Sequence, residues 1–126
     1  MEFFEEIERQ SLNIGTLKDL LQISTLPNHC RSIDSVISDN HNVGEIYSVW
    51  GQFNVSREEI RNGVRFALLD CPHAFAWTIA YHENRNKLVI HCTIDDQEED
   101  EEFIETIREF AADWRRGLSS ILPENT

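Results

Sequence analysis

The sequence predicts an α+β fold in which N-terminal helices precede a four-stranded antiparallel β-meander and a long C-terminal helix packs on one sheet face. Three observations predict it. Phe75, Trp77, Ile79 and Tyr81 alternate in phase with Leu88, Ile90, Cys92 and Ile94 across Glu83-Asn84-Arg85-Asn86. With those four residues as the turn, antiparallel pairing puts all eight side chains on one face of a hairpin. Val64, Phe66 and Leu68 join that face when Phe66 lies opposite Trp77 and Leu68 opposite Phe75, and a one-residue slip would reverse every side chain. Finally, Phe103, Ile107, Phe110, Trp114, Leu118 and Ile121 recur at helical spacing, a stripe suited to covering the aromatic face of the sheet.

Along the chain, residues 1–40 read as a broken helical segment. Phe3, Phe4 and Ile7 form one apolar stripe. Thr16 is a candidate N-cap ahead of Leu17, Leu20 and Leu21, with Asp19 three residues on, and Pro27 ends that piece. Ile33, Val36 and Ile37 have the i, i+3, i+4 spacing of a short amphipathic turn, although a loop reads equally well over 25–44. Asp39-Asn40-His41-Asn42 is a loop. The meander occupies 45–94. Tyr47, Val49, Phe53 and Val55 suggest one first strand of about ten residues. Ser56-Arg57-Glu58-Glu59 then forms a helical turn or a polar connection, closed by Asn62-Gly63. Pro72 marks the Asp70-Cys71-Pro72-His73 turn. The C-terminal helix spans 97–122, capped by Asp95 or Asp96, with Glu98 to Glu102 near its positive end. Gly117 is a candidate early stop, and Pro123 ends whatever remains.

At 126 residues, with 40% hydrophobic and 27% charged residues, the chain reads as a single folded domain over 1–126. No apolar run approaches the roughly 18 residues that span a bilayer. The opening Met1-Glu2-Phe3-Phe4-Glu5-Glu6 lacks the basic and apolar regions of a signal peptide, so a cytoplasmic location is expected. Cys30, Cys71 and Cys92 make an odd count without a CxxC pair, which argues against a disulfide framework or a zinc ribbon. A net charge of −12 disfavours nucleic acid and anionic membranes and suits a basic protein partner.

Candidate chemistry is sparse. The acidic run from Asp95 to Glu102 lacks the alternating ligands and the glycine of a calcium loop. Cys71 and His73 flank Pro72 closely enough for a thiol and a base to meet, and they are the candidate catalytic pair. His91 and Cys92 are neighbours on a strand and therefore point to opposite faces. His82 and His91 share a face but stand about 13 Å apart along it. Neither pair makes a metal site, and no cofactor is expected. The aromatic stripe of Phe75, Trp77, Tyr81, Phe110 and Trp114 reads as solid core or as the lining of a small cavity.

The second sheet face carries more information. Trp50, Ala67, Leu69, Ala76, Thr78, Ala80 and Val89 fall on it, bordered by Arg65, His82, Lys87 and His91. A freely solvated antiparallel face alternates long polar side chains. This one is small and half apolar, so the N-terminal helices or a second copy should cover it, or it is a groove for a partner or ligand. In size and charge the chain is similar to the secretion chaperones of bacterial export systems, whose order of helices and strands differs. The expected function is that of a small acidic cytoplasmic interaction module without catalytic activity, chaperone- or adaptor-like and homodimeric. Its binding surface comprises Trp50, Ala76, Thr78, Ala80, Val89 and His91. The alternative is a small-ligand-binding protein or enzyme using a cavity near the Cys71-Pro72-His73 turn.

Overall fold

A computed structural model describes residues 1–95 and 100–122. The chain runs β1 (Glu2–Glu8), α1 (Ile14–Leu20), a 3-10 turn at Ile23–Thr25, α2 (Leu26–His29), then β2 (Ile33–Asp39), β3 (Val43–Ser48), β4 (Gly51–Ile60), β5 (Gly63–Leu68), β6 (Ala76–His82), β7 (Lys87–Thr93) and α3 (Glu101–Ile121). The fold is α+β, with an antiparallel sheet and a C-terminal helix packed on it. The sheet has seven strands rather than four, in the order β1-β7-β6-β5-β4-β3-β2. A strand precedes the helices, so the expected helical N-terminus is corrected.

β1 lies where the spacing suggests a helix and β2 where a helix or a loop reads equally well, and each difference has a physical reason. Phe3 and Ile7 are four residues apart, a spacing that satisfies the helical period and the strand period alike. In β1 they lie opposite Cys92 and Leu88 on the core side, while Glu2, Phe4, Glu6 and Glu8 alternate to the other. In β2 the pairing with β3 shifts between Ile33 and Ser35 and again between Val36 and Ser38. Those bulges break the two-residue alternation and leave a pattern that resembles a helix.

The single strand expected over Tyr47 to Val55 is two strands. The chain reverses at Val49-Trp50, where Ser48 pairs with Gly51 and Gly51 adopts φ +111°, a conformation natural to glycine. The Ser48 hydroxyl accepts from the Trp50 amide and donates to the Gly51 carbonyl. Ser56 to Glu59 is neither helical turn nor loop but the end of β4, and it carries the buried Arg57. From β5 onward the expected registers are the observed ones: Phe66 pairs with Trp77, Thr78 with His91, and His82 with Lys87.

The helices differ from expectation at their ends. Asn13, not Thr16, caps α1, its side chain accepting from the Thr16 amide at 2.9 Å. Pro27 sits within the first turn of α2, where a missing N–H costs nothing. Asp100 caps α3 in place of Asp95, accepting from the Phe103 amide at 2.7 Å. The alternative cap Asp96, the helix start at 97 and the stop at Pro123 lie outside the described residues. Gly117 does not end the helix.

All three helices lie on one face of the sheet. Leu17 of α1, Leu26 of α2 and Phe110, Trp114 and Leu118 of α3 belong to one core with Val64, Phe66, Trp77 and Ile90. The ring of Phe110 packs edge-on against Trp77 and Phe75, with centroids 4.9 and 5.1 Å away. Phe66 stacks on Trp77 at 5.3 Å. The aromatic stripe is therefore packed solid. Of the covers considered for the second face, the helices are excluded.

Candidate functional site

The alternation of β1, β7 and β6 builds the uncovered face. Phe4 lies opposite His91, His91 opposite Thr78, and Val89 opposite Ala80. Phe4 is 56% exposed, and its ring stacks flat on the His91 imidazole with centroids 4.4 Å apart. The His91 Nε2 atom lies 2.8 Å from the Glu2 carboxylate. Glu6 binds both Arg85 at 3.0 Å and Lys87 at 3.4 Å. Phe4, Glu6, Arg85 and His91 border a shallow trough of about 570 Å³, floored by Thr78, Ala80 and Val89. Small residues on β6 make the floor low, and longer ones on β1 and the β6–β7 turn raise its rim.

Of the residues expected on this surface, Ala76, Thr78, Ala80, Val89 and His91 share it; Trp50 does not. The β3–β4 turn carries Trp50 to the helix side, where its indole N–H donates to the Thr106 hydroxyl at 2.9 Å. There it borders a second cavity, of about 300 Å³, walled by Trp50, Phe53, Leu68, Phe75 and Phe103 and edged by Cys71, Pro72 and His73. The Cys71-Pro72-His73 turn thus edges a cavity at the end of the aromatic stripe. Cys71 and His73 line it together, with the His73 ring tilted against Phe103 at 4.6 Å.

Other polar groups in the interior are structural. The Ser32 hydroxyl donates to buried Asp113 at 2.6 Å, and Arg116 holds the other carboxylate oxygen at 2.6 Å, which ties the start of β2 to α3. Burial holds the His29 imidazole below its usual range, partly offset by its contact with the Leu20 carbonyl. Among the described residues no cluster of three His, Cys, Asp or Glu side chains could hold a metal. No helix there is long and apolar enough to cross a membrane.

The three thiols are free and differ in accessibility. Burial pushes Cys92 up to about 12 and also raises Cys30, and thiolate is the reactive form. Half-buried Cys71 opens into the cavity. Brief treatment of the native protein with iodoacetamide should therefore add one group, at Cys71, and treatment in denaturant three. Mass spectrometry of the two samples checks this.

No protein-family model matches the chain, and no curated protein matches it. Among solved structures it is similar to the crystal structure of an uncharacterized protein from Bacillus thuringiensis. The two are 15% identical, with a TM-score of 0.56, and the match covers 96% of this chain and 94% of that one. At that identity the likeness shows a shared fold and nothing of function.

Proposed function

We propose that the protein is a non-catalytic interaction module of the cytoplasm that pairs with a second copy of itself through the open sheet face. The observation that carries this reading is the placement of the described helices on the opposite face, which leaves no helix over the small side chains Ala76, Ala80 and Val89, sunk between longer neighbours, and leaves Phe4 56% exposed. Size supports a sheet-to-sheet contact. Seven strands at about 4.8 Å spacing, each roughly 20 Å long, present a face of about 700 Å². Stable interfaces take about 800 Å² from each partner.

Charge supports a like partner as well. A chain of net charge −12 repels its copy at long range, but this face is matched within itself. Glu2 meets His91, and Glu6 meets Arg85 and Lys87. Two such faces can approach without stacking like charge on like. Three free thiols suit a reducing compartment.

The test is Ala80→Arg. Ala80 lies between Gly63 and Val89 on the floor of the trough. A long charged side chain there points away from the core and obstructs a facing sheet. Native mass spectrometry should show a dimer for the parent chain and a monomer for the variant, with an unchanged far-ultraviolet spectrum. A variant that stays dimeric places the interface elsewhere.

A further inference from the structure

We propose that the cavity beside the Cys71-Pro72-His73 turn binds a small uncharged hydrophobic molecule of one or two rings. The volume of about 300 Å³ lies at the lower end for ligand sites. Protein interiors leave few gaps of that size, and an apolar one suits an apolar occupant. Trp50 meets Phe75 edge-on with centroids 5.1 Å apart, and Phe103 at 66° with centroids 6.3 Å apart. Its N–H is also bound to the Thr106 hydroxyl at 2.9 Å, so this wall is fixed before any ligand arrives.

That the ligand carries no charge follows from the lining. Among the described residues no Asp, Glu, Lys or Arg borders the cavity. The neighbouring carboxylates are turned to other tasks. Asp70 accepts from the Asn54 backbone amide at 3.0 Å and from its side-chain amide at 3.2 Å, and Asp100 caps α3 through the Phe103 amide at 2.7 Å. A charged group brought in here would lose its water and find no opposite charge, which is costly. An uncharged ring has no such cost and gains by leaving water. The turn at the edge is preformed: the Ala74 amide donates to the Cys71 carbonyl at 3.1 Å, and Ala74 is held at φ 51°. A non-glycine residue in that left-handed region is strained and persists where its surroundings impose it. Cys71 places a thiol beside the occupant and so reports on it. The cavity lies on the helix side of the sheet and stays open whether or not the other face is paired.

The probes are indole, tryptamine and indole-3-propionate, which share a ring system and carry no charge, a positive charge and a negative charge. Indole should slow alkylation of Cys71 by iodoacetamide in the intact protein. It should also shift the amide resonances of Cys71, His73, Ala74 and Phe75 in a nuclear magnetic resonance titration. Both charged probes should bind at least about tenfold more weakly, since each brings to an apolar site a charge that nothing there pairs. Cys71→Phe should fill the cavity and abolish the shifts with indole. Either charged probe binding as tightly as indole overturns the uncharged class. Absence of protection and shifts with indole at millimolar concentration, or shifts that persist in Cys71→Phe, overturns the site.

Discussion

Gly117→Ala should destabilise the protein by about 2 kcal/mol, although helix propensity alone predicts a gain of about 1 kcal/mol for that exchange inside a helix. The sign reverses because α3 crosses α2 at van der Waals distance. A Cβ at position 117 would stand 1.9 Å from the His29 carbonyl oxygen and 2.8 Å from its carbonyl carbon. Both are backbone atoms and cannot rotate away. His29 is also anchored through its ring to Leu20, and the Cys30 amide after it donates to Leu26. Relief would have to come from shifting α2 or α3 against a core that includes Leu26, Trp114 and Leu118. Thermal unfolding followed by circular dichroism should show a fall of roughly 8 °C. A rise would mean that the two helices are farther apart in solution.

Arg57→Leu should cost about 3 kcal/mol, and Glu59→Ala less than about 1 kcal/mol. Arg57 is 7% exposed, on the core side of β4. Its Nε donates to the Leu21 carbonyl at 2.6 Å and its Nη2 to the Lys18 carbonyl at 2.9 Å. The last carbonyls of a helix have no partner within it. Arg57 supplies one from the sheet, and the positive charge also suits that end of the helix. Leucine would fill much of the space but take the donor from the Leu21 carbonyl, while the Lys18 carbonyl keeps the Gln22 side-chain amide at 3.2 Å. The pairing of Arg57 with Glu59 is a lesser matter, since the glutamate side chain is 54% exposed. Urea unfolding of the two variants separates the contributions.

Most of the middle of the fold was legible because its periods were clean. Phe66, Trp77 and Cys92 pair across three strands as their alternation requires, and the α3 stripe buries Ile107, Phe110, Trp114 and Leu118. The rest failed where one spacing serves two periods or where a bulge disturbs one. Phe3 and Ile7 fit a helix and a strand equally, and only the pairing of β1 with β7, some 85 residues away in sequence, decides between them. Long-range pairing of that kind leaves no local trace. The break at Val49-Trp50 did leave one, in Trp50-Gly51, because a glycine within an alternating run signals a reversal. Missing that turn sent Trp50 to the wrong face and hid its role in the cavity wall. Arg57 could not have been found from sequence, since its burial depends on two carbonyls of α1.

The open face tells the same story from the other side. Ala76, Thr78, Ala80 and Val89 were legible as unusually small and apolar for solvent. What covers them was not, because α1 and α2 could have packed on either side of a sheet whose far edge they reach. Their placement beside α3 turns that face outward, and a second subunit is the cover we propose for it. The most direct measurement is sedimentation equilibrium of the unmodified chain at micromolar concentration. A species of twice 14.7 kDa is the expected result. A single species of 14.7 kDa across that range would contradict the pairing of two sheets.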